Sequence, residues 1–299
     1  MIWLIGCNGM LGSEITRQLK EKNIDFVGTD RDVDFTDFSS ISDFSKEKKI
    51  NWIINCAAYT AVDLAEDNEE LAEKLNAGGP LNLINLCNEI GAKLIHISTD
   101  YVFDGNASSP YTEDMKKCPA SAYGRTKGHG EDKIMNNMHD NAWIFRTAWL
   151  YGWNGKNFVY TMMKAFNNFD SRIVVDDQRG TPTFAYDLAK GIIELITQVD
   201  NGKNIPCGIY HFTNMGNISW YDFACKINEL GKKYGFVTNE CKVEPCTTDK
   251  FPAKAHRPAY SVLSKDKVQK TLGIKIPEWE ISLEKFISSP LFQKERLEN

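Results

Sequence analysis

Five residues into the chain a short apolar run, Ile2-Trp3-Leu4-Ile5, breaks into Gly6-Cys7-Asn8-Gly9-Met10-Leu11-Gly12, and a helical pattern follows at once. Glycines at this spacing permit a tight turn, let backbone N–H groups come close to a ligand, and let the helix pack against the strand. The unit is therefore a strand, a turn and a helix whose N-terminus can face an anion such as a pyrophosphate. A plain strand-to-helix turn has the same local signature, so the remainder of the chain must decide between them.

That remainder alternates. Short apolar runs at 26–28, 52–56, 94–97 and 143–146 read as buried strands, and amphipathic stretches at 11–20, 71–89 and 128–138 have the length of crossover helices. Leu81, Ile84, Asn85 and Asn88 illustrate the mixed faces expected of such helices. Strands alternating with helices predict an α/β fold with a Rossmann-type, doubly wound parallel sheet. Beyond residue 151 the pattern loosens into helices at 158–166 and 187–197, a strand at 173–175, another at 208–212 and a helix starting at Ser219. A Pro-rich loop at 245–258 suits a smaller C-terminal substrate-binding lobe. Residues 1–152 with about 181–214 are expected to form the dinucleotide-binding domain, and about 153–180 with 215–290 the smaller lobe.

Composition removes other classes. Of 299 residues, 42% are hydrophobic, enough for a sizeable core, and 35 Lys plus Arg stand against 40 Asp plus Glu for a net charge of -5. No basic block is present, so nucleic acid is not an expected partner. The 8 cysteines form no C-x-x-C and sit mostly in apolar stretches, which reads as buried reduced thiols. The N-terminus lacks a cationic signal-peptide start and no apolar run is long enough to span a bilayer, so the expectation is a soluble cytoplasmic protein with no membrane contact.

Beyond Gly12 the second strand ends at Asp30-Arg31. A carboxylate there can accept hydrogen bonds from an adenosine ribose, whereas an adjacent arginine can pair a 2'-phosphate. Either NADH or NADPH fits, with Asp before Arg tilting slightly toward NADH, and an ordinary solvated turn remains the bland alternative. Cys56, Ala57, Ala58, Tyr59 and Thr60, at a later strand end, leave room for a cofactor to pass. Thr99 follows the fourth strand at its C-terminal end, and Tyr123 and Lys127 stand four apart, on one face of a helix. A cation beside a phenol favours the phenolate and would bring its pKa of about 10 toward neutrality, making a general acid for carbonyl reduction. Taken alone, Y-x-x-x-K is also a common surface pair.

Together these segments resemble the extended short-chain dehydrogenase/reductase superfamily, and more closely the dTDP-4-dehydrorhamnose reductase family. The resemblance runs from 1 to 286 and rests on Gly6 to Gly12, the run from Asn55 to Asp63, Ser98-Thr99-Asp100-Tyr101-Val102-Phe103-Asp104-Gly105, Tyr123 to Lys127, the run from Arg146 to Gly152, Asp177-Gln178-Arg179-Gly180-Thr181-Pro182-Thr183, and Arg257-Pro258. It implies an NAD(P)H-dependent enzyme with a Thr99, Tyr123, Lys127 triad. Tyr123 would protonate the sugar C4 oxygen, Lys127 would hold the nicotinamide ribose and lower the tyrosine pKa, and Thr99 would orient the carbonyl. A dTDP-sugar would lie near Val62, Asp63, Asp100, Tyr101, Phe103 and Trp149, with Asn157 and Arg257 as polar partners. Core packing for Phe103 and Trp149, a helix cap for Asn157 and a surface cation for Arg257 remain open.

The chain departs from the family at Gly128-His129-Gly130, where two glycines cost a helix about 1 kcal/mol each and would soften the register of Lys127. Glu14 matches one acid of a metal-linked dimer seen in some members, but Tyr186 stands where another acid is expected, so no metal is assigned; a monomer or homodimer fits. Other readings are a sugar-nucleotide epimerase or dehydratase, or a non-catalytic cofactor-binding regulatory subunit. Tyr101 after Asp100, where dehydratases carry a second acid, favours simple reduction.

Overall fold

The computed structural model describes residues 1–297. In chain order the elements of the first half are β1 Ile2–Ile5, α1 Met10–Glu21, β2 Phe26–Thr29, α2 Phe38–Ser45, β3 Trp52–Asn55, α3 Val62–Ala65, α4 Glu69–Glu73, α5 Gly79–Ile90, β4 Lys93–Thr99, α6 Ala122–Asn137 and β5 Ala142–Thr147. The second half adds β6 Leu150–Tyr151, α7 Phe158–Asn168, β7 Ser171–Val175, β8 Arg179–Gly180, β9 Thr183–Phe184, α8 Ala185–Asp200, β10 Gly208–His211, β11 Ile218–Ser219, α9 Trp220–Lys233, β12 Lys242–Cys246, α10 Asp266–Leu272 and α11 Trp279–Ser288.

Six strands form one parallel sheet in the order β10-β5-β4-β3-β1-β2. Every residue of β1, β3 and β5 is buried, as expected of strands covered on both faces. One face packs Ile15, Leu19, Leu188, Ile192 and Leu195 from α1 and α8, and the other packs Ile41, Leu83, Ile84 and Cys87 from α2 and α5. Because β1 leads to β2 on one side and β3 lies on the other, a crevice opens at the C-terminal ends of β1 and β3.

A second apolar core is built on Tyr151, Phe166, Phe184, Phe223, Leu283 and Phe286. Its helices begin on side-chain caps: Asn157 accepts from the Tyr160 N–H, and Ser219 with Asp222 forms a reciprocal capping box. The strand foreseen at 173–175 is longer and pairs with β12 in a separate two-stranded ribbon, where Pro245 is tolerated because the ribbon is all edge. Val268, Leu272 and Ile276 pack on the first core, so α10 departs from the expected grouping of 215–290 in one lobe.

Two helices differ from the pattern. The span expected as one helix at 71–89 contains a π turn at Lys74–Gly78 between α4 and α5. The helix expected at 128–138 starts at Ala122, capped by Ser121 whose hydroxyl accepts from the Gly124 N–H. All eight cysteines are free; Cys87 and Cys241 are buried while Cys118 is exposed, because it lies in a surface loop rather than in an apolar element. No helix among the described residues is long and apolar enough to cross a membrane.

Candidate active site

A cavity of about 1020 Å³ occupies the crevice. Gly6 ends β1 with φ +77°, a conformation open to glycine, and a Cβ there would stand 2.8 Å from the Ala57 nitrogen at the end of β3. A Cβ on Gly12 would fall 2.0 Å from the Gly6 carbonyl oxygen. Both positions therefore demand glycine for close backbone approach, and the start of α1 faces the cavity. This cradle fits a pyrophosphate, and hence NAD(P).

Of the sequence candidates, Gly6, Gly9, Met10, Leu11, Gly12, Asp30, Arg31, Cys56, Ala57, Ala58, Tyr59, Thr60, Val62, Thr99, Asp100, Tyr101, Tyr123, Lys127 and Trp149 line this one cavity. Asn8 stands outside it, and its backbone N–H donates to Asp30 Oδ2 at 3.2 Å, tying the glycine turn to the end of β2. Asp63 and Arg257 are also outside the residues that line it. Arg257 donates to Tyr101 Oη at 3.0 Å and to Asp63 Oδ2 at 2.5 Å, while Asp63 Oδ1 accepts from the Ala255 N–H. The 255–257 segment is thus tied to α3 and holds the Tyr101 hydroxyl.

Two substrate candidates lie elsewhere. Phe103 is 2% exposed and stacked on Tyr111 at 4.1 Å, with the Arg146 guanidinium over its ring, so it is a core residue. Asn157 caps α7 and donates to the Gly152 carbonyl, which occupies its side chain. Trp149 is both a cavity-lining and a packing residue. Its indole lines the cavity and stacks on Trp220 at 3.6 Å, and its φ of 48° is left-handed, a conformation costly for a large side chain.

The geometry of Tyr123 and Lys127 differs from the sequence expectation in one respect. Lys127 Nζ donates to the Ile97 carbonyl at 2.5 Å and lies 3.3 Å from His96 Nε2 rather than pairing with the phenol. Burial raises the Tyr123 pKa well above its ordinary value; hydrogen bonding with Thr99 acts against this, and Asp100 and Tyr101 add to it. Tyr123 therefore holds its proton at neutral pH instead of being drawn toward phenolate. Lys127, 2% exposed, is pulled down to about 8, chiefly by burial. Asp100 is pushed up to about 6 by the same cause, offset by hydrogen bonding to Thr99, and its Oδ2 is buried without a hydrogen-bond partner.

The helix that carries Lys127 is closely packed. Gly130 lets α6 meet the π turn: a Cβ there would fall 2.0 Å from the Asn76 carbonyl oxygen. Asn76 in turn accepts from the Tyr59 N–H at 2.8 Å and donates to the Tyr59 carbonyl and to Thr126 Oγ1. Asn76 and His96 went unread in the sequence, and Asn55 was read only as the first residue of the 55–63 motif; for His96 the available signal was a polar residue inside the apolar run Leu94-Ile95-His96-Ile97. Glu14 is engaged by Arg17 and Gln18, and the described residues hold no group of three or more His, Cys, Asp or Glu able to bind a metal.

A parallel sheet, a glycine turn at its switch point and a Thr, Tyr and Lys facing that turn define a dinucleotide-binding oxidoreductase fold of the short-chain dehydrogenase/reductase type. Residues 1–291 match the family model described as RmlD substrate binding domain. A Streptomyces griseus dTDP-4-dehydrorhamnose reductase is 37% identical over 94% of this chain and 91% of its own. A Clostridium acetobutylicum dTDP-4-dehydrorhamnose reductase structure is 44% identical, covers 96% of this chain and 98% of its own, and superposes with a TM-score of 0.89. A Bacillus anthracis dTDP-4-dehydrorhamnose reductase solved in complex with NADP is 35% identical over 95% of this chain and 97% of its own, with a TM-score of 0.88. The chain belongs to the dTDP-4-dehydrorhamnose reductase family.

Proposed function

We propose that this protein reduces the C4 ketone of dTDP-4-dehydro-L-rhamnose to dTDP-L-rhamnose, using NADH or NADPH, as a cytoplasmic monomer or homodimer. The observation that carries the reading is the convergence of Thr99, Tyr123 and Lys127 on the same cavity as the glycine turn. The 6–12 turn would hold the pyrophosphate, Asp30 or Arg31 the adenosine ribose, and the 56–60 loop the rest of the dinucleotide. When bound, the cofactor supplies the hydride. Tyr123, kept protonated by burial, donates its proton to the C4 oxygen, and Thr99 orients that oxygen. Lys127 is placed to hold the nicotinamide ribose. Val62, Asp100, Tyr101 and Trp149 would enclose the sugar, with Asp63 and Arg257 steadying Tyr101.

The test is direct. The product of a glucose 4,6-dehydratase and its 3,5-epimerase partner is supplied with each cofactor, and the sugar formed is identified by NMR. The expected product is dTDP-L-rhamnose; a different C4 epimer or another reduced deoxysugar would move the protein to a neighbouring ketoreductase activity. Tyr123→Phe removes the proton but keeps the ring, and should lower turnover about a hundredfold or more with cofactor binding little changed. Near-normal turnover would remove Tyr123 from the mechanism.

A further inference from the structure

The run from Asp177 to Thr183 is one of the segments that carry the resemblance, yet none of its residues lines the cavity. What it touches is Trp149, which does. At one end of the run the Thr183 N–H donates to the Trp149 carbonyl at 3.1 Å, and Thr183 Oγ1 donates to the Ala148 carbonyl at 2.6 Å. These bonds hold the backbone of Trp149 at its left-handed φ of 48°. Gly180, in β8, meets the ring itself. A Cβ there would stand 2.6 Å from Trp149 Cε2, 2.7 Å from Trp149 Cζ2 and 2.7 Å from Ser261 Oγ. Carbon atoms rest at about 3.5–4.0 Å in ordinary contact, so a side chain at this position displaces the indole by about an ångström.

The neighbours decide which way the ring would go. β8 is held along both edges. Gly180 and Arg179 stand in register with Ile218 and Ser219 of β11. On the other edge the Arg179 N–H donates to the Ala259 carbonyl at 2.8 Å, and the Arg179 carbonyl accepts from the Ser261 N–H at 2.7 Å. The Arg179 guanidinium is tied to Asn217 as well. The strand therefore has little room to retreat. One face of the Trp149 indole lies on Trp220 with ring centroids 3.6 Å apart, and Phe158 backs Trp220 at 4.6 Å. Ser261 Oγ can turn aside about a single bond, whereas a stacked indole cannot. The side of Trp149 left open is the cavity.

We propose that Gly180 is a positioning residue: by carrying no side chain it sets how far back the Trp149 wall stands, and so the depth of the sugar subsite. The inference rests on the reading of this cavity as the place of the sugar nucleotide. Any larger residue at 180 pushes the indole into the space it shares with Thr99 and Tyr123, crowding the sugar, while the 6–12 turn, on separate elements, keeps its shape.

Gly180→Ala is compared with wild type by steady-state kinetics, NADPH calorimetry and crystallography. The expected result is a raised sugar-nucleotide KM and a kcat/KM lower by about tenfold or more, because ångström-scale misplacement of reacting groups is costly in rate. NADPH affinity should be unchanged, and the crystals should show the Trp149 ring displaced into the cavity. The same substitution in a Trp149→Ala chain, which has no ring to displace, should cost little further activity, whereas in a Ser261→Ala chain it should cost as much as in wild type. A Gly180→Ala structure with the ring in its wild-type place, an unchanged kcat/KM for the sugar nucleotide, or an equal loss in the Trp149→Ala chain overturns the proposal. Should Gly180→Ala alone fail to fold, the double variant with Trp149→Ala decides: folding places the conflict at the indole, and failure to fold shows that Gly180 serves something else and overturns the proposal. A different product, or normal turnover in Tyr123→Phe, would refute the proposed function while leaving the ring displacement in place, so the two failures are distinguishable.

Discussion

Gly128 and Gly130 lie on the same helix two residues apart, and replacing each with alanine should move stability in opposite directions. A Cβ on Gly128 would meet only Lys117 Cδ at 3.8 Å and Val102 Cγ1 at 3.9 Å, ordinary van der Waals contacts. Gly128→Ala should thus recover the helix-propensity cost, about 1 kcal/mol. A Cβ on Gly130 would lie 2.0 Å from the Asn76 oxygen, so α6 and the π turn must separate by about an ångström. Such overpacking costs about 1–3 kcal/mol, and loosening the Asn76 hydrogen bonds to Tyr59 and Thr126 adds about 1 kcal/mol for each bond lost. Set against about 1 kcal/mol of regained propensity, Gly130→Ala should lose about 2–3 kcal/mol. At about 2–4 °C per kcal/mol, melting followed by circular dichroism should rise by about 2–4 °C for Gly128→Ala and fall by about 5–10 °C for Gly130→Ala. Because Asn76 holds Tyr59 at the cavity wall, Gly130→Ala should also weaken NADPH binding in calorimetry. The reasoning is refuted if both variants shift the melt in the same direction, or if Gly130→Ala melts at or above wild type.

Asp30→Ala should weaken NADH more than NADPH, and Arg31→Ala should do the reverse, measured as Kd by fluorescence; equal effects would put this pair away from the ribose. Trp149→Ala should raise the sugar-nucleotide KM and lower kcat while leaving NADH affinity unchanged, with stability changed only by the lost stack on Trp220, about 0.5–1.5 kcal/mol. A much lower melt with normal kinetics in the folded fraction would make Trp149 a packing residue alone. Asp100, raised in the folded chain from 3.8 to about 6, stabilises the fold only while protonated, and that contribution is lost as pH rises through about 6. Asp100→Asn should therefore gain up to about 3 kcal/mol over wild type on going from pH 4 to pH 8 in denaturant titrations, and a gain independent of pH would show that burial of this carboxyl is not the cause.

The sheet was legible because its strands are continuous apolar runs such as Trp52-Ile53-Ile54, and the glycine turn because its spacing answers to one backbone geometry. Local pattern misplaced the start of α6, since Gly124, Gly128 and Gly130 weaken the helical signal while close contacts with Tyr101 and Asn76 require two of them. Phe103 shows the converse limit. Its motif position suggested a ligand, but stacking on Tyr111 from a loop eight residues away fills its environment. His96 and Asn76, and Asn55 beyond its place in a motif, were illegible for a different reason: each matters through a partner distant in sequence, and a single buried polar residue carries no period of its own.

The π turn at Lys74–Gly78 has a consequence for chain length. It accommodates one residue more than an α-helix would need, and that residue lets Asn76 reach Tyr59 while the flanking helices keep their own faces. Removing one residue within it would close the π turn into a regular helical turn with the flanking faces still in register, and would move the backbone of Asn76 away from Tyr59. Ala72 and Leu83 could then both stay buried, but the close Gly130 contact with the Asn76 carbonyl would lose its partner. Although Leu71 and neighbouring side chains are open to solvent, this stretch should accept substitutions on its outer face far more readily than any deletion.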